Sequence, residues 1–220
     1  AATLASVLAQ SYQDFECLIV DDNSTDATLE VVRSFHDPRL RVHANAERLG
    51  IGGNCNRCLE LARGEFVCLF GHDDLMLPDN LARKLAVLQS DPTVVLIHSA
   101  AEVLVEESAP HGIDAFTGPQ DYVAAGHLYL RKLLLAGNHI CASTVLTRRQ
   151  ALLDAGGFDA ELDYTCDYEM WMKLCAGGRA AFLCAPLVRY RWHAGNISHR
   201  HRLEQRLEEV HRAGQRALEH

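Results

Sequence analysis

The sequence predicts one α/β domain in which a mostly parallel sheet is flanked by helices, and three observations predict it. Short apolar runs alternate with amphipathic segments through the first hundred residues, the connections between them are short, and acidic pairs follow two of the apolar runs. Strands that alternate with helices over short connections are typical of parallel sheets covered by helices. A length of 220 residues is sufficient for one well-buried domain.

The first half of the chain shows the clearest alternation. A helix-like segment covers 3–10, and helices are then predicted where apolar residues recur every three or four positions. In the last of these helices Leu81, Leu85 and Leu88 share one face, and Pro78 precedes them. The predicted strands are 17–20, 40–44, 66–70 and 94–98, and the helices between them are 26–35, 53–62 and 79–89.

The second half begins with a predicted loop over 106–120, which contains two prolines and two glycines. No repeat or low-complexity tract divides the chain, so a single domain over 1–220 is expected. The last residues, 218–220, are interpreted as the remnant of an affinity tag. The elements expected after the loop are a helix at 122–135, a strand at 142–146, helices at 149–155 and 167–176, strands at 180–184 and 187–192, and a terminal helix at 201–217.

The charge of the chain limits its partners. A net charge of −8 argues against nucleic acid, because phosphate binding needs a basic face. The stretch 189–216 is the exception, with seven arginines against three glutamates. Such a basic end either contacts an anionic lipid surface or is a solvated helix face. The most apolar stretch, 94–105, is too short and too polar to cross a bilayer.

The eight cysteines predict neither disulfides nor zinc. Several stand inside apolar strands, where a free cysteine behaves as a small hydrophobic residue. Cys55 and Cys58 form a C-x-x-C pair without a second pair or a histidine at zinc spacing, so we interpret the spacing as coincidence. Reduced thiols and a cytoplasmic location fit this usage.

Two acidic pairs are the main functional signal. Asp21 and Asp22 follow the strand at 17–20, and Asp73 and Asp74 follow the strand at 66–70. Ligands bind at the carboxyl ends of the strands in an open parallel sheet, so we expect four carboxylates around one mouth. The alternative is that Asp21 and Asp22 are turn and cap residues. Carboxylates that meet in a cleft suit Mg²⁺ or Mn²⁺, which would bind a diphosphate there.

Three stretches, in this order, resemble the inverting family-2 glycosyltransferases of GT-A fold: DFECLIVDDNSTDATLEVV, GEFVCLFGHDDLMLPDNL and CDYEMWMKL. The segments LASVLAQSYQDFE, GGFD and YRWHAGNIS are similar as well, and the resemblance extends to about Ser198. It implies a nucleotide-sugar-binding half over 1–100 and an acceptor and catalytic half over 101–200. It also implies a first strand before the opening helix, which the given sequence lacks.

The resemblance implies roles for individual residues. Asp22 resembles the residue that binds the uracil of a UDP-sugar, Asp73 the ribose-side residue, and Asp74 the metal ligand. Asp167 resembles the catalytic base. His193 resembles a histidine near the diphosphate and is a weaker candidate for the metal.

Further candidates are less specific. Asp21 and Arg57 are assigned to the nucleotide side, although Arg57 stands two positions from the arginine of many relatives. Acceptor recognition is expected from 137–144 and from the loop 106–120. His139 either stacks on a sugar or binds a backbone carbonyl, and Ser143 is a weak acceptor candidate.

Asp167 is also informative without the resemblance. In a helix that starts there, it shares a face with Trp171 and other apolar residues, while Glu169 and Lys173 form an outward pair. A carboxylate on an inward face needs a partner or a role, and capping the helix is the alternative to catalysis. The helix N-terminus favours ionisation, and burial against Trp171 opposes it.

The resemblance implies inverting transfer from a UDP-sugar to a glycan or lipid-linked acceptor, in polysaccharide or glycolipid synthesis, with Mn²⁺ or Mg²⁺. This chemistry would take place in the cytoplasm, at the inner face of the membrane if contact is peripheral. Nucleotidyltransferase activity and non-catalytic binding of a nucleotide sugar are the alternatives. A phosphatase or receiver domain ranks last, because the expected lysine-bearing strand end is missing.

Overall fold

The computed structural model describes residues 1–105, 118–196 and 203–219. The elements of the first half are α1 (Ala2–Leu8), β1 (Cys17–Asp21), α2 (Thr28–Arg33), β2 (Leu40–Ala44), α3 (Gly50–Leu61), β3 (Phe66–Val67), β4 (Leu75–Met76), α4 (Asn80–Ser90) and β5 (Val94–Val105). Those of the second half are β6 (Tyr122–Ala124), α5 (Gly126–Ala136), a 3₁₀ turn (Ala142–Thr144), β7 (Leu146–Arg148), α6 (Arg149–Asp154), α7 (Cys166–Gly177), β8 (Arg179–Trp192) and α8 (Leu203–Glu219).

The α/β class is confirmed, and the sheet is mixed where the sequence predicted a mostly parallel one. Strands β1 and β2 form a parallel pair, and β5 runs parallel to β8 along most of its length. The short strands β3, β4 and β6 and the strand β7 pair in antiparallel fashion.

The single long strand β8 spans the two strands that were predicted at 180–184 and 187–192. Pro186 lies inside it, where the register against β5 shifts on both sides of Ala100. Proline cannot donate to a ladder, and an irregularity is the place where a strand tolerates it. The uninterrupted strand carries the chain from the core to His193, at the cleft.

Two boundaries in the acceptor half differ from the prediction. The expected helix at 122–135 begins as strand β6, and α5 starts only at Gly126. A Cβ on Gly126 would lie 2.0 Å from the carbonyl oxygen of Cys175, so only glycine lets α5 pack this closely on α7. The expected strand at 142–146 is mostly the 3₁₀ turn, and 106–117 of the predicted loop lies outside the described residues.

Helix α7 lies at the centre of the larger core cluster. Met170, Trp171 and Leu174 are buried, as their spacing predicts. The prediction of an outward Glu169–Lys173 pair is wrong, since Glu169 is fully buried and meets Lys173 there at 2.5 Å. The reason is that both α5 and α8 pack on α7, so more of the helix is covered than its apolar spacing predicts.

Across 1–105, 118–196 and 203–219, no helix combines the length and the hydropathy that a membrane span requires.

Candidate active site

Asp22 connects the end of β1 to the start of α3. Its carboxylate accepts hydrogen bonds from the backbone N–H of Leu49 (2.8 Å) and of Gly50 (3.0 Å), at the positive end of the helix. A carboxylate in this position satisfies backbone donors that a helix start leaves free. Asp22 therefore caps a helix that follows 28 residues later, and the cap fixes its orientation at the strand end.

Two asparagines that sequence reasoning missed support Asp22. The side-chain amide of Asn45 donates to Asp22 (3.0 Å) and to Asn54 (2.9 Å), and Asn54 in turn donates to the carbonyl of Val20 (3.2 Å). Asn45 directly follows β2. A polar residue at a strand end was therefore the available signal, and it is the same signal that identified the acidic pairs.

Asp21 has a different environment from Asp22. It is buried, and its carboxylate accepts the backbone N–H of Ser24 at 3.0 Å, as expected of a turn residue. The turn around Asp26 lies near His72, which directly precedes the second acidic pair. Hydrogen bonds from Thr28 keep the pKa of Asp26 below its usual value, and the imidazole of His72 adds a smaller effect.

Asp74 is the buried member of the second pair. One oxygen accepts the hydroxyl of Ser143, and the other accepts the backbone N–H of Arg191 at 2.9 Å. Burial raises the pKa of Asp74, although both hydrogen bonds lower it. The nearby charge of Asp73 raises the pKa further. Burial therefore makes ionisation of Asp74 less favourable than that of a solvated aspartate, and a cation next to it would offset this effect.

Asp73 is more exposed and faces His193. Its carboxylate lies 3.0 Å from Nε2 of His193, and its backbone carbonyl accepts the guanidinium of Arg191 at 3.0 Å. The backbone N–H of Gly195 donates to Nδ1 of the same imidazole (3.0 Å), so the ring proton is on Nε2 and is donated to Asp73. Coordination of a metal by Nε2 would require this proton to leave.

Gly71 makes the close approach of these groups possible. A Cβ there would lie 3.0 Å from an Asp74 oxygen, 3.0 Å from the Ser143 hydroxyl and 3.1 Å from an Asp73 oxygen. The backbone N–H of Gly71 donates to the Ser143 hydroxyl (3.0 Å). Ser143 is buried, and its hydroxyl donates to Asp74 and so supports the acidic pair, while its assignment to the acceptor stays a prediction.

Asp167 lies at the start of α7, with part of its surface accessible to solvent. Burial of the carboxyl raises its pKa to about 6, against hydrogen bonds from the N–H of Tyr168 (2.6 Å) and the amide of Asn138 (3.4 Å). The oxygen of Asn138 accepts the N–H of Ile140 (3.1 Å), which fixes the direction of the amide. Burial thus outweighs the helix N-terminus, and sequence reasoning missed Asn138 as a partner.

The phenol of Tyr190 is influenced by the charges of both the acidic pair and Asp167. Burial raises the pKa of its phenol first, and the charges of three carboxylates raise it further, those of Asp73, Asp74 and Asp167. The thiol of Cys141 shows the same influence from Asp74 and Asp167. The segment 138–143 connects the candidate metal side to the candidate base, because Asn138 donates to Asp167 and Ser143 donates to Asp74.

Two predicted residues have other contacts. Arg57 pairs with Glu60 one turn further along α3 (2.8 Å) and donates to His43 (3.3 Å), so its guanidinium is engaged at the surface of α3 and β2. Nδ1 of His139 contacts the backbone carbonyl of Gly137 at 3.3 Å. Binding of a backbone carbonyl was one of the two roles expected of this residue, and stacking on a sugar was the other. Burial lowers the pKa of His139, so its ring is neutral at physiological pH.

Asp73 and Asp74 fit a divalent cation by the chemistry of their atoms. Mg²⁺ and Mn²⁺ prefer oxygen ligands, and Mg²⁺ takes few carboxylates from the protein, with water and phosphate completing its shell. The buried Asp74, with its raised pKa, is a site where a positive charge is favourable. In the described ranges there is no group of three His, Cys, Asp or Glu side chains that could bind a metal.

The fold defines the structural class, which is the GT-A fold. The structure superimposes on Staphylococcus aureus TarS in complex with UDP with a TM-score of 0.74, at 21% identity, over 96% of this chain and 59% of that one. It superimposes on the mannosyltransferase PcManGT from Pyrobaculum calidifontis, in complex with GDP-Man and Mn²⁺, with a TM-score of 0.69 at 21% identity, over 99% and 59% of the two chains.

Sequence comparison then identifies the family. The model of Glycosyl transferase family 2 matches residues 1–155, so the chain belongs to glycosyltransferase family 2. An uncharacterized Mycobacterium tuberculosis protein, MT1568, is 31% identical over 82% of this chain and 59% of its own length. The chain thus spans about three fifths of the length of the first relatives. The Escherichia coli glucosyltransferase WfgD is 26% identical over 90% of this chain and 74% of its own.

Proposed function

We propose that the enzyme transfers a sugar from a UDP-sugar to an acceptor hydroxyl with inversion at the anomeric carbon, with Asp167 as the general base. The observation that carries the proposal is that the segment 138–143 contacts both groups, since Asn138 donates to Asp167 and Ser143 donates to Asp74. The acidic pair suits a metal-bound diphosphate, and Asp167 offers a carboxylate with a pKa of about 6. A base of this pKa is suited to proton transfer near neutral pH.

The relatives support the nature of the substrates. WfgD is named a UDP-Glc:α-D-GlcNAc-diphosphoundecaprenol β-1,3-glucosyltransferase. TarS has been crystallised with UDP and with UDP-GlcNAc. We therefore propose a UDP-sugar donor and a lipid-linked acceptor, used in polysaccharide synthesis on the cytoplasmic side of a membrane.

The chemical step would be a single displacement. Asp167 accepts the proton of the acceptor hydroxyl while the oxygen forms a bond to the anomeric carbon, and the bond from that carbon to the diphosphate breaks on the opposite face. The N–H of Tyr168 and the amide of Asn138 orient the carboxylate before the acceptor arrives. The enzyme would contribute mainly by positioning both substrates.

The donor would bind across the two acidic pairs. Asp22 would bind the uracil, Asp73 the ribose, and Asp74, assisted by Asp73, would hold Mn²⁺ or Mg²⁺. When bound, the cation would neutralise charge on the leaving diphosphate. His193 acts through Asp73, to which it donates a hydrogen bond. Asp21 and Arg57 would contribute on the nucleotide side, and the acceptor would bind around 137–144, with His139.

Replacement of the base tests the proposal. Asp167→Asn should lower the rate of sugar transfer by about 10²–10⁴-fold and leave the Kd of UDP with Mn²⁺ nearly unchanged. Transfer is measured by UDP release from UDP-sugars in the presence of lipid-linked acceptors, and binding by calorimetry.

The pKa of Asp167 is raised in the folded protein, so its ionised form destabilises the fold at neutral pH. Asp167→Asn should therefore keep or raise Tm.

Asp154→Asn is the matched control, because Asp154 is an exposed carboxylate at the end of α6 whose partner is Gln150. It should retain full transfer and full binding. Equal loss of UDP binding and of transfer in Asp167→Asn, with Tm unchanged, would show that Asp167 belongs to the donor site and is not the base.

A further inference from the structure

Helix α5 exposes a leucine–basic face that consists of Leu128, Arg131, Lys132 and Leu135. We propose that this face docks the enzyme on the surface of an anionic lipid bilayer, next to the acceptor side of the cleft. The inference rests on the proposed function only for the identity of the acceptor, since the docking itself follows from the helix.

The spacing of the four residues places them on one side of α5. They stand at positions i, i+3, i+4 and i+7, which lie one above the other on a helix. Leu128 is 52% exposed and Leu135 is 76% exposed. The other side of the helix is buried against α7 through Gly126, Tyr129 and Leu133. The exposed leucines are therefore not needed for the core.

The charge of α5 distinguishes it from the rest of the molecule. The helix contains Arg131 and Lys132 and no acidic residue, in a chain with a net charge of −8. Among the described residues neither cation forms an ion pair with a carboxylate. Positive side chains next to exposed leucines match a surface that is negative outside and apolar beneath, because long basic side chains reach phosphates while the leucines enter the acyl boundary.

Helix α8 shows why exposed apolar side chains alone do not identify the docking helix. Leu203 and Leu207 are 63% and 60% exposed, as much as the leucines of α5. Helix α8 carries three arginines against four glutamates, Glu204 and Glu208 among them, so its net charge is negative and an anionic surface attracts it less than it attracts α5. The charge pattern therefore favours α5 as the docking element.

The place of α5 in the fold connects the face to the cleft. The helix ends at Ala136, and two residues further Asn138 contacts Asp167. The charge of Lys132 also contributes to the lowered pKa of His139, after burial as the main cause. A bilayer on the leucine–basic face would therefore lie close to the candidate base, where the hydroxyl of a lipid-linked acceptor has to arrive.

Vesicle binding tests the inference without donor or acceptor. The 220-residue chain is sedimented with vesicles of phosphatidylcholine, and with vesicles that also contain phosphatidylglycerol. We expect binding to the anionic vesicles that weakens as salt is added. The double variant Leu128→Ser, Leu135→Ser should bind about tenfold more weakly or worse, because it removes both leucines from the acyl boundary. Arg131→Gln with Lys132→Gln should also weaken binding.

The matched control is Leu203→Ser with Leu207→Ser, which removes two equally exposed leucines from α8 and should bind as the unchanged chain does. The inference is overturned if the unchanged chain ignores anionic vesicles, if neutral vesicles bind it equally, or if the α8 variant loses binding as much as the α5 variant. UDP binding, measured on the same samples, separates the two proposals. Intact UDP binding without vesicle binding would overturn the docking face alone, whereas vesicle binding without UDP binding would count against the donor site alone.

Discussion

Asp167 combines two environments with opposite effects on the pKa of its carboxyl group. Removal from water raises the pKa, and the donors Tyr168 and Asn138 lower it, with a net value of about 6. The carboxyl therefore changes its charge within the range in which an enzyme assay can be run. A base must be ionised to accept a proton, so activity depends on pH in a direction that can be stated.

We expect kcat/KM to fall as the pH is lowered through about 6, since protonation of Asp167 removes the base. Asn138→Ala removes a donor that stabilises the ionised form, so the acid limb of the profile should move to higher pH. The measurement is the pH profile of transfer for both proteins, with UDP binding as the control. A purely structural role for Asn138 would lower the rate at every pH and leave the limb in place.

At the scale of elements, α8 contributes to the start of α7. One oxygen of Glu209 accepts the backbone N–H of Tyr164 (2.8 Å), the N–H of Thr165 (3.2 Å) and the Thr165 hydroxyl (3.3 Å). These donors precede α7, so a carboxylate from another helix acts as its cap. The terminal helix thereby helps to position the turn that presents Asp167.

Removal of this cap should destabilise the fold. Glu209→Ala is expected to lower the free energy of unfolding by about 1 kcal/mol, because three donors at the start of α7 lose their acceptor. The measurement is urea denaturation at fixed pH. Glu208→Ala removes the exposed neighbouring carboxylate and should change stability little. Similar losses in the two variants would contradict the capping role.

The whole molecule should respond to its donor nucleotide as a unit. UDP with Mn²⁺ at about a hundred times its Kd should stabilise the folded state by about 2.7 kcal/mol, which corresponds to a rise in Tm of several degrees for a chain of this size. Asp74→Asn should abolish most of the rise, because it removes the carboxylate that favours the cation. Asp154→Asn should retain it. A full rise in Asp74→Asn, or without metal, would contradict metal-dependent binding at Asp74.

The sequence alone determined the features that depend on local patterns. The α/β class follows from short apolar runs between amphipathic segments, and Asp21 and Asp22 could be placed at a strand end because they directly follow their run. Strand β3 ends at Val67, earlier than predicted, so Asp73 and Asp74 lie in the connection between β3 and β4. The burial of Met170, Trp171 and Leu174 follows from their helical spacing. The family follows from the order of the motifs, and the family model confirms it.

Only the tertiary structure decided what surrounds these residues. Asp74 is bound by Ser143, 69 residues away, and by the backbone of Arg191, 117 residues away, and no local pattern encodes such pairs. Glu169 reads as an outward residue by periodicity and is fully buried, because α5 and α8 also cover α7. The pKa of Asp167 likewise depends on how much protein surrounds its carboxyl group. Periodicity reports which side of an element is apolar, whereas long-range packing determines how many sides are covered and which groups meet there.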